Sequence, residues 1–198
     1  QTSYEVDVAH AVETISVTPA TASADATIKV NGVAVASGAS SAAIPLTVGA
    51  NTITVQATAQ DGTTVKGYVI SVNRAPSSDA SLSALSLSDG SISFQASTYA
   101  YEVAVANAVE TIAVTPTASS ADATLTVNGV AVASGSASAS IPLFVGVNLI
   151  TVQATAQDGN TADTYSLTIT RAASANADLA SLTLSSGALA PAFAASQT

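Results

Sequence analysis

The sequence predicts an all-β fold of tandem antiparallel β-sandwiches, and three observations support this prediction. Apolar and polar residues alternate along much of the chain, as in TITVQ at 52–56 and ATLTV at 123–127, which is the pattern of half-buried strands. Asn-Gly pairs stand between valines at 31–32 and 128–129, where they favour the two-residue turn of a β-hairpin. No segment has the periodicity of an amphipathic helix. The spacing of these segments indicates roughly seven strands per sandwich.

An internal repeat divides the chain into two similar units. The segment YEVDVAHAVETISVTP beginning at Tyr4 recurs as YEVAVANAVETIAVTP beginning at Tyr101, 97 positions later. VNGVAVASG and TVQATAQDG recur at the same spacing, and Arg74 and Arg171 close the two units. Self-similarity at a fixed spacing is the mark of repeat architecture. We therefore predict two sandwiches rather than one large domain.

The two units differ in how they begin. A segment with alternating apolar residues precedes the body of the second unit and recurs near the end of the chain, where Leu82, Leu85, Leu87 and Ile92 match Leu179, Leu182, Leu184 and Leu189. No such segment precedes the first unit. We predict an immunoglobulin-like sandwich without its first strand at 1–74 (repeat one), a complete sandwich at 79–171 (repeat two), and the leading strand of a next repeat at 176–198 (the C-terminal segment).

Charge and composition exclude several classes of function. The chain carries four Lys and Arg residues against thirteen Asp and Glu residues, a net charge of −9. Such a chain repels the phosphates from which nucleic-acid-binding proteins draw their affinity, so no nucleic-acid partner is expected. No apolar run is long enough to span a bilayer, and no membrane insertion is expected. The absence of Cys, Met and Trp suits an exported bacterial protein, and we expect an extracellular or cell-surface location.

Candidate catalytic and metal-binding residues are few. His10 is the only histidine, and the second unit has Asn107 in its place; without a base, the many serines form no triad, and we expect no enzyme and no cofactor. Asp79 and Asp178 lie at unit junctions, where carboxylates can bind calcium. One acid per junction is too few for a tight site, so calcium between domains is a minor alternative and no metal site is assigned.

Several motifs resemble the cadherin-like β-sandwich family of bacterial surface and secreted proteins. They are L-x-x-L-x-L-S-x-G from Leu179 to Gly187, continuing to Pro191 and Phe193, then V-G-x-N at 145–148, A-x-D-G at 156–159 and Y-x-L-x-I-x-R at 165–171. The resemblance covers nearly the whole chain. It implies an immunoglobulin-like fold used as a spacer, stalk or adhesive module, and it implies no activity. The acidic calcium motifs of true cadherins are missing.

The missing strand predicts assembly of the chain with copies of itself, head to tail. Burying the five apolar side chains that repeat one lacks is worth roughly 8 to 15 kcal/mol, as much as a whole domain's stability. We predict that the C-terminal segment supplies them to a neighbouring repeat, in a filament or stalk that serves surface attachment or matrix. The donated residues are Leu179, Leu182, Leu184, Leu189 and Phe193. One covalent tandem array and separate strand-donating subunits both remain open.

An alternative is a carbohydrate-binding or host-surface-binding module of a secreted protein. Phe144 replaces Thr47 in an otherwise matched loop, and Tyr99 has no counterpart in repeat one. Exposed aromatic side chains can form a contact surface for a glycan or a protein ligand. These two residues are therefore the candidates for surface contact, against the alternative that each packs into its own sandwich.

Overall fold

The computed structural model describes residues 2–188 and 194, and the regular structure in them is entirely β. The predicted all-β sandwich fold is confirmed. In repeat one the strands are β1 (Ser3–Val8), β2 (Thr14–Ile15), β3 (Thr27–Val30), β4 (Val33–Val35), β5 (Ile44–Pro45), β6 (Gly49–Thr58) and β7 (Val65–Arg74). In repeat two they are β8 (Leu82–Leu87), β9 (Ala100–Val105), β10 (Thr111–Ile112), β11 (Val114–Ala118), β12 (Thr124–Val127), β13 (Val130–Val132), β14 (Ile141–Pro142), β15 (Gly146–Thr155) and β16 (Ala162–Arg171).

Each repeat contains one five-stranded sheet with the same strand order. The order is β1-β7-β6-β3-β4 in repeat one and β9-β16-β15-β12-β13 in repeat two. The ladders are antiparallel except for the edge pairs β1 with β7 and β9 with β16, which are parallel. Both Asn-Gly turns have the predicted left-handed backbone, with φ of 47° and 82° at 31–32 and of 49° and 78° at 128–129.

The second layer differs between the repeats. In repeat two β8 pairs with β11 and β10 pairs with β14, and only Ala113 separates β10 from β11. In repeat one the corresponding described strands are β2 and β5, and residues 17–21, which match β11, are in no ladder. Fifteen described residues form the buried core of repeat two, against six in repeat one. Because the two sequences are nearly the same, we attribute the smaller core to the lack of a counterpart of β8 among the described residues of repeat one.

A guanidinium group closes each repeat. Arg171 donates from Nε and Nη2 to the carbonyl oxygen of Asn107, at 2.8 and 2.6 Å, and from Nη1 to that of Leu143, at 2.9 Å. Arg74 makes the matching contacts, with the carbonyl oxygen of His10 at 2.8 and 2.6 Å. Since the acceptors are main-chain groups, His10 and Asn107 serve equally in this position.

Candidate assembly site

Repeat two shows how a leading strand completes the sandwich. β8 lies antiparallel to β11, with Leu85 opposite Pro116 and Leu87 opposite Val114. Leu82 is 0% exposed and Leu85 is 3% exposed. The leading strand therefore places Leu82 and Leu85 in the core, three positions apart because the register shifts between Thr117 and Ala118, and it pairs with the edge of the second layer.

Tyr165 holds the leading strand from the opposite layer. Its ring is fully buried, with centroids 5.0 Å from Tyr99 and 6.2 Å from Phe94, and its hydroxyl oxygen accepts the backbone N–H of Leu82 at 3.1 Å. Burial raises the pKa of this hydroxyl above its usual value, because a buried site disfavours the phenolate. The side chain is thus both a core residue and a hydrogen-bond acceptor for the leading strand.

A polar contact fixes the chain just before β8. The backbone N–H of Ser77 donates to Gln157 Oε1 at 2.9 Å, and its carbonyl oxygen accepts the N–H of Asp158 at 3.0 Å. Its hydroxyl accepts the N–H of Asp79 at 3.2 Å, and Ser77 is a buried polar residue. This contact was not predicted from the sequence, although the recurrence of Ser77 as Ser174 and of Gln60 as Gln157, each 97 positions later, was a signal for it.

Repeat one has a cleft where repeat two holds β8. The cleft has a volume of about 560 Å³, and its walls include Pro19, Ile28, Val55, Tyr68 and Ile70. Pro19 corresponds to Pro116, the partner of Leu85, and Tyr68 corresponds to Tyr165. Side chains that are fully buried in repeat two are therefore partly open to solvent in repeat one.

Tyr68 is the clearest of these positions. It is half-buried, and its hydroxyl has no hydrogen-bond partner among the residues that the structure describes. Lys66 Nζ lies 5.5 Å from the centre of the ring. In the same position of repeat two, the hydroxyl binds the leading strand. The cleft thus presents an unused acceptor at the place where a backbone N–H would arrive.

The C-terminal segment exposes the side chains that match the buried leucines. Leu179, Leu182 and Leu184 are 57%, 45% and 55% exposed, and residues 176–188 form no strand. None of these three leucines lines the cleft of repeat one. The predicted assembly residues Leu189 and Phe193 lie outside the described residues.

The two aromatic candidates do not share one surface. Phe144 is 77% exposed and lies in the turn before β15. The first residue of β15 pairs with Arg171 at the end of β16. Tyr99 is 45% exposed, but its ring packs on Tyr165. Six residues of strand, about 20 Å, separate these positions along β16. They do not form a common platform.

Within residues 2–188 and 194, no group of three or more His, Cys, Asp or Glu side chains is placed to hold a metal ion. Asp79 is occupied by its own turn, where Oδ1 accepts the hydroxyl and the N–H of Ser81 at 2.6 and 2.9 Å. These hydrogen bonds, the hydroxyl first, lower the pKa of Asp79. Asp178 sits in a similar turn and donates its N–H to Asn176 Oδ1 at 2.8 Å.

Comparison with known proteins agrees with this architecture. The model of the cadherin-like beta sandwich domain matches residues 1–75 and 82–172. The chain belongs to the cadherin-like β-sandwich family. Domains of this type are typically structural or binding domains without enzymatic activity. The two matched regions of this cadherin-like chain leave out residues 76–81, which contain Ser77, and the C-terminal segment.

Individual relatives cover parts of the cadherin-like chain. A protein of Evansella cellulosilytica that is named as a membrane protein is 41% identical to this chain over 71 residues. The matched residues are 36% of this chain and 10% of that protein. The human desmocollin-1 ectodomain is 10% identical with a TM-score of 0.32, over 90% of this chain and 42% of that one. A SusE-like surface-located polysaccharide-binding protein from Bacteroides thetaiotaomicron is 14% identical with a TM-score of 0.28, over 85% and 33%. In the described part of the chain, no helix has the length and hydropathy to cross a membrane.

Proposed function

We propose that this chain is a structural module of a bacterial cell-surface or extracellular array, in which the leading segment of one repeat completes the sandwich of another, head to tail. The observation that carries the proposal is the cleft of repeat one, which occupies the place of β8. The C-terminal segment carries leucines at the spacing that β8 uses, and these leucines are exposed. Cleft and segment are complementary parts of one sandwich.

The energetics favour this contact. Fully burying a leucine side chain is worth about 1.5 to 3 kcal/mol, and Leu179, Leu182 and Leu184 are all exposed in the single copy. Adding a strand would also pair the main-chain groups of Thr18 and Ala20, which form no hydrogen bond within the described residues. Open sheet edges are ordinarily covered in proteins, and strand addition is a common way to cover them.

The surface location rests on composition and on one relative. The chain lacks Cys and Met and carries a net charge of −9, and the relative from Evansella cellulosilytica bears the name of a membrane protein. This chain matches only 10% of that protein. Two forms of the array fit the proposal: either consecutive repeats of one long chain donate the strand to each other, or separate subunits do.

An engineered disulfide tests the contact directly, because the chain contains no cysteine. Ser86 and Thr115 lie opposite each other in β8 and β11, and their counterparts are Thr183 and Thr18. In the Thr18→Cys, Thr183→Cys double variant, we expect oxidation to join different copies into a ladder on a non-reducing gel. Electron microscopy of the same material should show thin filaments.

Two matched pairs control this experiment. Ser86→Cys with Thr115→Cys should form a bond within one copy, which verifies the geometry. Thr115→Cys with Thr183→Cys should form none, because β8 already covers β11. Absence of bonds between residues 18 and 183, or bonds confined to one copy, would contradict assembly. The mass of the natural protein after denaturation then distinguishes separate subunits of 19.2 kDa from a heavier covalent array.

The alternative of a glycan-binding module has less support. Tyr99 packs against Tyr165, which leaves Phe144 as the exposed aromatic of the pair. Binding on a glycan array that is saturable and is lost in Phe144→Ala would bring this alternative forward.

A further inference from the structure

We infer that a polar lock sets the register of the donated strand: Ser174 of the donor docks on Gln60 and Asp61 of the acceptor, and the Tyr68 hydroxyl accepts the N–H of Leu179. This inference rests on the proposed function, since it assumes that the C-terminal segment enters the cleft of repeat one. It identifies the partner of Gln60 and Asp61 as the turn before the leading segment of another repeat. The leucines provide the affinity, and the lock provides the alignment.

Repeat two supplies the complete version of this lock. The N–H of Ser77 donates to the Gln157 side chain, and the carbonyl oxygen of Ser77 accepts the N–H of Asp158. The hydroxyl of Tyr165 accepts the N–H of Leu82. Subtracting 97 from the acceptor residues gives Gln60, Asp61 and Tyr68, and adding 97 to the donor residues gives Ser174 and Leu179. All five residues are identical to their counterparts.

The acceptor turn of repeat one already has the required shape. Asp61 Oδ1 accepts the N–H groups of Thr63 and Thr64 at 2.9 and 2.8 Å, and Asp158 Oδ1 accepts those of Asn160 and Thr161 at the same distances. The N–H of Gly62 donates to the carbonyl oxygen of Ala59 at 3.0 Å, and the N–H of Gly159 donates to that of Ala156 at the same distance. Within the described residues, the N–H of Asp61 has no acceptor, whereas that of Asp158 donates to Ser77.

The donor turn is also folded before it docks. The N–H of Asn176 donates to Ser174 Oγ at 3.2 Å and that of Asp178 to Asn176 Oδ1 at 2.8 Å. The matching contacts of the docked turn in repeat two are Asp79 to Ser77 Oγ at 3.2 Å and Ser81 to Asp79 Oδ1 at 2.9 Å. Both halves thus have their docked conformations in the free chain, and such preorganisation lowers the entropic cost of association.

The leucines alone do not define one alignment. Leu182 and Leu184 lie two residues apart, so a shift by two residues still presents a leucine to the core, whereas a shift by one residue reverses the face. A main-chain contact at one end of the segment excludes the shifted alignments, because it can form in one register only. Ser174 lies five residues before Leu179, so the lock engages at the entrance of the cleft.

Register-resolved cross-linking tests the lock in the full chain. With Thr18→Cys as acceptor, the in-register donor is Thr183→Cys, and Ser181→Cys and Ser185→Cys report shifts of two residues. We expect Gln60→Ala combined with Tyr68→Phe to weaken association about tenfold, from two hydrogen bonds of roughly 0.7 kcal/mol each. The bonds should also spread to residues 181 and 185. Gln157→Ala, the matched variant in repeat two, should leave the register unchanged.

The outcomes separate this inference from the proposed function. Cross-links that stay in register with unchanged affinity in the Gln60→Ala, Tyr68→Phe variant would overturn the lock and leave strand donation standing. Absence of cross-links between copies in every pair would overturn both. Circular dichroism of each variant verifies folding, and Gln60 is exposed in a turn, where substitution by alanine is compatible with the fold.

Discussion

The hydroxyl of Tyr165 accepts the backbone N–H of Leu82 at 3.1 Å and so joins the last strand of repeat two to its first. Tyr68 has the same place in repeat one, and within the described residues its hydroxyl has no partner. The hydroxyl oxygen of this tyrosine is therefore hydrogen-bonded in the sandwich that contains a leading strand and, among the residues that the structure describes, unbonded in the one that lacks it. The two tyrosines also provide a matched pair for mutation.

Tyr165→Phe should destabilise repeat two by about 1 to 3 kcal/mol, because the buried N–H of Leu82 loses its acceptor. Tyr68→Phe should change the free energy of unfolding of the monomeric chain by less than about 0.5 kcal/mol. Urea unfolding followed by circular dichroism measures both. Equal losses in the two variants would show that the hydroxyl is not what holds the leading strand.

Leu85→Ala should cost about 2 to 5 kcal/mol of stability, as other large-to-small substitutions in cores do. Leu182→Ala, at the matching position of the C-terminal segment, should leave the monomer's stability unchanged, since Leu182 is exposed. It should nevertheless reduce association between copies. Sedimentation velocity over a concentration series measures this loss, and an unchanged association constant would count against strand donation.

Arg171→Lys should destabilise repeat two by about 1 to 3 kcal/mol, because an ammonium group cannot reproduce the planar set of donors and leaves part-buried carbonyl groups without partners. The ion pair with Glu110 contributes little, since the Glu110 side chain is 80% exposed and its Oε1 lies 3.6 Å from Arg171 Nη2. Thermal unfolding of Glu110→Gln should therefore resemble that of the unsubstituted chain. A larger loss in Glu110→Gln than in Arg171→Lys would reverse this assignment.

Acid should weaken the turns at Asp61 and Asp158. Hydrogen bonds from the hydroxyl and N–H of Thr64 and the N–H of Thr63 lower the pKa of Asp61 from 3.8 to about 2, and those from Thr161 and Asn160 lower that of Asp158. A depressed pKa in the folded state stabilises the fold above about pH 4, and this stabilisation is lost as the pH falls toward 2. The unfolding temperature of Asp61→Asn, Asp158→Asn should therefore fall less steeply between these values. Parallel curves would contradict the assignment.

Much of the fold could be predicted from local patterns in the chain. The alternation at 52–56 lies within β6, and that at 123–127 coincides with β12 apart from its first residue. The Asn-Gly pairs have the positive φ that their chemistry suggests. Alternation cannot distinguish a parallel from an antiparallel neighbour, and so the parallel pairing of β9 with β16 had to come from the structure. The repetition of Leu82 and Leu85 as Leu179 and Leu182 indicated the segment, and the structure adds the cleft of repeat one at the position of β8.

The polar lock was harder to predict because main-chain groups form most of it. Ser77 contributes its N–H and its carbonyl oxygen to the turn at Gln157 and Asp158, and every residue type except proline offers this pair of groups. Composition therefore gives no indication of it. The repetition of Ser77 as Ser174 marks the position in the sequence, but the groups that it binds are seen in the coordinates of repeat two.

The cleft of repeat one and the C-terminal segment belong to different regions of the same chain, and this gives the proposed assembly a direction. Any contact between the two is heterologous, so a growing row retains one vacant cleft at one end and one free segment at the other. The two ends are then chemically distinct. A peptide with the sequence of 172–198 would bind only at the end with the vacant cleft. The number of bound peptides would therefore equal the number of filaments.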